Sequence, residues 1–167
     1  MSFWDIFIGK TESKPISKLQ SSILEQFPNY TEEKRILLTC LAGLCARVAY
    51  VDFDISSTEK EAIERSLIQW MNLSEKEADF VASKALEEVK ELSGIEPRKY
   101  CTALNDILDN SEKLHVLETL FQVSAADGNV EEHESEEIRI ITTGFLLEHK
   151  HFIAARATVA KFIGALK

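Results

Sequence analysis

Glycine and proline are scarce in this chain of 167 residues, which contains six glycines and three prolines. Together they make up about 5% of the sequence, compared with roughly 12% in an average protein. A fold rich in hairpins and tight turns needs many more of both residues. The shortage therefore argues against an all-β protein and favours long helices joined by a few short turns.

Basic residues are few relative to acidic ones. The chain has 19 lysines and arginines against 28 aspartates and glutamates, so its formal net charge is -9 at pH 7. Binding to the phosphate backbone of nucleic acids requires an excess of positive charge, and we therefore expect no nucleic-acid partner. No apolar run reaches the length of a membrane span. The hydrophobic fraction of 45% is too high for a disordered chain.

Cysteine is also rare, with Cys40, Cys45 and Cys101 forming an odd number without CxxC spacing. Each cysteine falls in an apolar helical stripe, so we expect buried free thiols in a reducing, cytoplasmic compartment. The N-terminal sequence MSFWDIFIGK is apolar but too short for a signal peptide. We expect this segment to dock on the domain or on a second copy of the chain. The alternative is peripheral contact with the inner membrane.

Apolar residues recur every three or four positions through almost the whole chain, as they do on one face of a helix. No segment alternates in polarity for long enough to predict a strand. We predict an all-α bundle of about seven helices in residues 31–167. Residues 1–30 are predicted to be an appendage with a short amphipathic segment near residues 16–26. Leu44 and Trp70 lie at the centres of apolar stripes and are predicted to be buried.

Several helix starts are marked by local signals. Ser56 with Glu59 and Ser74 with Glu77 match the capping box, in which two side chains each bond to the other residue's backbone N–H. Pro97 suits the first turn of a helix, where its missing N–H costs nothing. These patterns predict three helix starts.

The sequence contains an internal repeat with an offset of 75 residues. Residues 49–63 align with residues 124–138 and share the pattern D-x-[DN]-[IV]-x-x-x-E-x-E-x-I. Each copy is typical of a helix, a tight acidic turn and a second helix. We predict two helix-turn-helix hairpins related by a pseudo-twofold axis, with an insert near residues 97–109.

Each repeat places oxygen-bearing side chains around one tight corner, and such clusters suit hard cations such as Ca²⁺ or Mg²⁺. The spacing differs from that of an EF-hand loop. The second turn is the better candidate, because residues 127–137 contain six acidic residues and no lysine or arginine. Such a cluster repels itself unless a cation or a basic partner neutralises it. The predicted metal ligands are Asp52, Asp54 and Glu59 in the first turn and Asp127, Asn129, Glu131 and Glu134 in the second.

The same acidic residues also have a purely structural interpretation. Asp and Asn side chains accept hydrogen bonds from amides two residues further on, and glutamate in a first helical turn complements the helix dipole. Both interpretations remain open at the level of sequence. Elsewhere, Glu112 and His115 match only one half of a di-iron motif. We interpret His149 and His151, which follow Glu148, as a polar helix start in preference to nitrogen ligands.

The second repeat resembles the TerB-like family of tellurite-resistance proteins, in which an apolar helix ends in A-A-D-G and a hydrophobic turn residue precedes E-x-E-x-I. The residues that carry the match are Ala125, Ala126, Asp127, Gly128, Val130, Glu134 and Ile138. The first copy is looser and has Phe53 where the family usually has glycine; its matching residues are Ala49, Asp52, Ile55, Glu59 and Ile63. The resemblance extends over about residues 31–165.

This resemblance implies an all-helical domain built from two such hairpins, a link to tellurite and general chemical stress, and acidic residues proposed to bind metal. A similar domain occurs at the front of a DnaJ-like membrane co-chaperone, although this chain lacks the His-Pro-Asp tripeptide of a J-domain. No nucleophile–base motif or phosphate-binding glycine loop is present in the sequence.

We therefore expect a non-enzymatic stress-response module that binds a divalent cation at its acidic turns, a protein partner, or both. The partner is expected to be another protein or a second copy of the chain. A protein-interaction or co-chaperone-like domain whose acidic turns are only structural is the first alternative. A metal-dependent hydrolase that uses the acidic turns is the second.

Overall fold

The computed structural model describes residues 14–51, 55–91 and 97–160. Within these ranges the chain forms α-helices and no strand, which confirms the predicted all-α fold. A short 3₁₀ helix, Ala125–Asp127, follows the sixth α-helix. The helices are α1 (Lys14–Gln26), α2 (Glu32–Ala49), α3 (Ser57–Met71), α4 (Glu75–Glu91), α5 (Pro97–Asn105), α6 (Asn110–Ser124), α7 (Glu132–Gly144) and α8 (His149–Ala157). Seven of these helices lie after residue 31, as predicted, and α1 corresponds to the short amphipathic segment predicted near residues 16–26.

Helix α2 lies at the centre of the bundle and packs against α1 and against α3 to α7. It is buried around its whole circumference from Leu38 to Ala46. A helix that is apolar on all sides is stable only when other elements cover each side. Helices α1 and α3 to α7 provide that cover. None of the helices in the described ranges is both long and apolar enough to cross a bilayer.

The internal repeat is visible in the helix boundaries. Helix α2 ends at Ala49 and α3 begins at Ser57, while 75 residues further on α6 ends at Ser124 and α7 begins at Glu132. The two helix pairs are therefore built on the same spacing. The pseudo-twofold relation between them stays a prediction.

The predicted helix starts are confirmed. Ser56 and Glu59 form a reciprocal capping box at the start of α3. Before α4, the Ser74 N–H donates to Glu77 Oε1 at 2.9 Å and the Glu77 N–H donates to Ser74 Oγ at 3.1 Å. Pro97 is the first residue of α5. Local hydrogen bonding thus sets these boundaries before any tertiary contact is considered.

Helix α1 packs against α4 and α2. Its residues Leu19 and Ile23, together with Phe27 just after it, are buried in the common core. The predicted division of the chain at residue 30 stays a prediction. The described part of residues 1–30 packs against the other helices and shares their core. The apolar sequence of residues 1–10 lies outside the described residues.

Helix α5 approaches α2 and α7 closely because each of them has a glycine at the contact. A Cβ atom at Gly43 would lie 2.6 Å from the ring of Tyr100, and a Cβ atom at Gly144 would lie 2.9 Å from Cys101 Sγ. Both distances are too short for real van der Waals contacts. A larger residue at Gly43 would therefore require the Tyr100 ring to shift, and one at Gly144 would require the Cys101 side chain to shift.

The corner between α7 and α8 contains a leucine in the left-handed conformation, Leu146, with φ of 61°. Its N–H donates to the Thr143 carbonyl at 3.0 Å, and the Leu147 N–H donates to the Thr142 carbonyl at 3.2 Å. This is the Schellman arrangement, whose left-handed position is usually glycine or asparagine. The corner between α3 and α4 follows that preference with Asn72, at φ of 55°.

The predicted burial of Leu44 is confirmed, but the prediction for Trp70 is wrong. Leu44 has no exposed surface, whereas Trp70 is only partly buried. The Trp70 indole N–H donates to Thr119 Oγ1 at 2.9 Å, and its ring stacks on His115 with 4.7 Å between ring centroids. The indole N–H requires a polar partner, so the ring lies at the edge of the core where α3 meets α6.

Replacing Leu44 by alanine is expected to lower the free energy of unfolding by about 2–5 kcal/mol, because it leaves a cavity in the buried centre of α2. Leu24→Ala is the matched control, since Leu24 is 51% exposed on α1. Its loss is expected to be under about 1 kcal/mol. Urea denaturation measures both values. Equal losses for the two variants would show that the core does not lie around α2.

Candidate functional site

The second acidic turn runs from the 3₁₀ helix to the start of α7 and packs against α3. Asp127 Oδ1 accepts a hydrogen bond from the Asn129 N–H at 3.1 Å, which forms an Asx turn. Between them, Gly128 has φ of 93°, in the left-handed region that glycine adopts without strain. All three residues are exposed. The turn therefore lies at the surface, and its shape is set by its own hydrogen bonds.

Glu134 points the other way, into the protein. It is 3% exposed, and its Oε1 accepts a hydrogen bond from the Glu131 N–H at 3.1 Å. Glu134 thus caps α7, while Asp127, Asn129 and Glu131 are exposed to solvent. Within the described ranges, no three Asp, Glu, His or Cys side chains are grouped so as to hold a metal ion. The cation site at this turn stays a prediction.

Two arginines offset part of the acidic cluster at residues 127–137. Arg47 Nε, on α2, lies 2.8 Å from Glu137 Oε1, and both side chains are largely buried. Arg139 Nε donates to Glu136 Oε2 at 2.9 Å on the surface, and this hydrogen bond lowers the pKa of Glu136. The three-residue spacing of Glu136 and Arg139 could have been recognised in the sequence. The pairing of Arg47 with Glu137 could not, because they are 90 residues apart.

Four acidic side chains of the cluster are exposed, and three of them have no arginine beside them as Glu136 does: Asp127, Glu131 and Glu132. We call them the acidic edge. In the part of the chain that the structure describes, none of the three forms an ion pair with a lysine, an arginine or a histidine. The acidic edge is therefore an exposed patch of like charge on a turn of fixed shape.

The first acidic turn is described only in part, because the predicted ligands Asp52 and Asp54 lie outside the described residues. Glu59 is buried, and its Oε1 accepts hydrogen bonds from the Ser56 N–H at 3.2 Å and from the Ser56 hydroxyl at 3.0 Å. It occupies the same position at the start of α3 that Glu134 occupies in α7. Both inward-facing glutamates therefore cap helices.

The single E-x-x-H sequence also has a structural role. Glu112 Oε1 accepts a hydrogen bond from the Asp109 N–H at 3.1 Å and so caps α6. His115 points elsewhere, with its ring stacked on Trp70. The two side chains thus serve separate contacts.

The predicted polar start of α8 is confirmed. His151 Nδ1 accepts a hydrogen bond from the Glu148 N–H at 3.1 Å, so this nitrogen serves as the acceptor at the helix cap. The ring of His149 stacks on Phe152, with 5.4 Å between centroids.

The predicted burial of the three free thiols is confirmed. Burial raises the pKa of Cys45 and of Cys101 to about 12, and it raises the pKa of Cys40 well above its usual value. The reactive species of cysteine is the thiolate. At neutral pH these side chains therefore serve as apolar packing groups.

An aromatic disulfide reagent at pH 7–8 is expected to label none of Cys40, Cys45 and Cys101 in the folded protein, because the thiols are buried and protonated. In denaturant all three should react. The absorbance of the released thiolate measures both. Rapid stoichiometric reaction of the folded protein would contradict the buried placement of α2 and α5.

The fold and these side chains define a class of protein: a small helical bundle with two acidic turns, in which buried glutamates cap the helix that follows each turn. A family model described as "Tellurite resistance protein TerB" matches residues 38–157, which include both turns. This match covers more than half of the sequence, so the chain belongs to the TerB family, as the resemblance predicted. Neither the search of curated proteins nor that of solved structures found a match.

Proposed function

We propose that the protein is a non-enzymatic module of a chemical-stress response that binds a basic segment of a protein partner through the acidic edge. The observation that carries the proposal is that the acidic side chains of the cluster make different contacts. Glu136 and Glu137 pair with arginines and Glu134 caps a helix, whereas the acidic edge is left exposed.

The shape of the turn supports this proposal. The Asx turn at Asp127 and the glutamate cap at Glu134 fix the backbone on both sides of the acidic edge. A surface whose shape is fixed before binding loses little conformational entropy when a partner docks. The net charge of -9 adds long-range attraction for a basic partner.

The role in stress is supported by the family, whose description names tellurite resistance. A cytoplasmic location is consistent with three free cysteines. The absence of an enzymatic role is supported by the side chains usually used in catalysis. Within the described ranges the thiols are buried, and three of the four histidines, His115, His149 and His151, stack on rings or cap a helix, while His133 is exposed.

The test is complementation in the organism that encodes the protein. Deleting the gene is expected to reduce growth in tellurite, and the wild-type gene should restore it. The variant Asp127→Asn/Glu131→Gln/Glu132→Gln is expected to fold normally by circular dichroism but to fail in complementation, because it removes the charge of the acidic edge.

The matched control removes the same charge elsewhere, in Glu25→Gln/Glu75→Gln/Glu87→Gln, whose three glutamates are exposed on α1 and α4. It should complement like the wild type. Full complementation by the acidic-edge variant would remove the acidic edge from the function. Normal growth of the deletion strain in tellurite would contradict the role in tellurite stress.

A divalent cation such as Ca²⁺ or Mg²⁺ is the second candidate ligand of the same turn. The specific observation in its favour is at Gly128, where a Cβ atom would have no neighbour within 4 Å. Asp127 is itself exposed, so a solvent ion can reach its carboxylate. Only one carboxylate oxygen of Asp127 is used in the Asx turn.

Isothermal titration calorimetry and thermal unfolding with each ion test this candidate. An ion that binds only the folded chain should stabilise it by about 2.7 kcal/mol at a hundredfold excess over Kd. Asp127→Asn keeps the Asx acceptor but removes one charge, so it should remove the ion effect while the ion-free protein stays folded. Absence of heat and stabilisation in the wild type at millimolar ion would leave the turn structural.

A further inference from the structure

We propose that α8 can be exchanged between two copies of the chain. In the exchanged form the corner at Leu146 straightens, α7 and α8 become one continuous helix, and α8 packs on α6 and α7 of the other copy. The occupant of the surface that α8 leaves is then the α8 of that second copy. Four features of the corner support this proposal.

The first feature is the conformation of Leu146. A residue with a Cβ atom is disfavoured at φ of 61°, because the Cβ lies too close to the following carbonyl oxygen. The Leu146 side chain is 81% exposed, so no burial offsets this strain. In a continuous helix the residue would be right-handed, and leucine is among the best helix formers.

The second feature is the contrast with the corner between α3 and α4. Both corners have a left-handed residue, then a buried leucine, then the N-cap residue of the next helix. The first corner uses asparagine and serine at the outer two positions, and these residue types favour caps and turns. The second uses leucine and glutamate, which favour helix interiors. The triplets are Asn72, Leu73 and Ser74 in the first corner and Leu146, Leu147 and Glu148 in the second.

The third feature is a pair of side chains that hold the corner bent. Asn105 Nδ2 donates to the Gly144 carbonyl at 3.0 Å, and Lys113 Nζ donates to the Phe145 carbonyl at 3.2 Å. In a continuous helix these carbonyls would accept from the N–H groups of residues 148 and 149. The two arrangements therefore compete for the same two acceptors. We call Asn105 and Lys113 the corner latch.

The fourth feature is that α8 has contacts that a second copy can reproduce. Phe152 and Ala155 are buried against the bundle, and the rings of Phe152 and Phe121 lie 5.7 Å apart between centroids. Exchange forms the same contacts between copies, so the packing of the core is kept. The balance between the monomer and the exchanged dimer then depends on the corner. A short connection under strain favours such exchange.

Two substitutions at one position provide the test. The full chain is refolded at high concentration, and its mass is measured by size-exclusion chromatography with light scattering. The wild type should contain a dimer that dissociates slowly on dilution, because α8 must leave its groove. Leu146→Gly, which tolerates the left-handed conformation, should weaken dimerisation by at least about tenfold.

Leu146→Ala is the matched control. It removes the same exposed side chain but keeps a Cβ atom and a high helix propensity, so its dimer should persist. Loss of the dimer in both variants would indicate a surface contact through the leucine and would overturn the exchange. A wild type that stays monomeric throughout would also overturn it.

A substitution in the corner latch is expected to change the dimer fraction in the opposite direction. Lys113→Met keeps the length of the side chain but removes the donor to the Phe145 carbonyl, so the dimer fraction should rise above that of the wild type. Combining it with Leu146→Gly should return the protein to the monomer, which also shows that the variant folds. A dimer fraction unchanged by Lys113→Met would contradict the competition for the two carbonyls.

Discussion

The burial of α2 on all of its sides is the constraint on which the rest of the structure depends. The stretch of α2 from Leu38 to Ala46 has no exposed side, so it is stable only inside a bundle, and other helices must be placed around it. The close approach of α5 is one result, because it requires Gly43 on α2. The contact of Arg47, near the end of α2, with Glu137 of α7 is another. The repeat forms two helix pairs, α2 with α3 and α6 with α7, and both pairs pack around the buried part of α2.

The glutamates of the two turns show how the same residue type serves two purposes. Glu59 and Glu134 face inward and satisfy backbone N–H groups at helix starts. Such N–H groups have no partner within the helix, so a glutamate at this position stabilises the boundary wherever the repeat occurs. Asp127 and Glu131 of the second turn also accept hydrogen bonds from nearby backbone N–H groups, but their side chains, like that of Glu132, stay exposed. The backbone of the turn thus has a fixed shape, and these acidic side chains extend from it into solvent.

Much of the fold could be predicted from the sequence, because helices and their starts depend on local patterns. The capping pairs, the first residue of α5 and the repeat spacing are of this kind. The position of Trp70 could not be predicted, since its partner Thr119 is 49 residues away. For the site, composition revealed the acidic cluster but not which acids face inward. That distinction depends on helix packing and on Arg47, which sequence spacing does not reveal.

The two glycines under α5 have an evolutionary consequence. Each is required only because α5 lies against it, with Tyr100 over Gly43 and Cys101 over Gly144. Outside these contacts a glycine in a helix is a disadvantage relative to alanine. The inserted helix and the two glycines are therefore expected to change together. A relative that lost α5 would be released from both glycines at once, whereas one that kept α5 could change a glycine only together with the side chain that faces it, Tyr100 or Cys101.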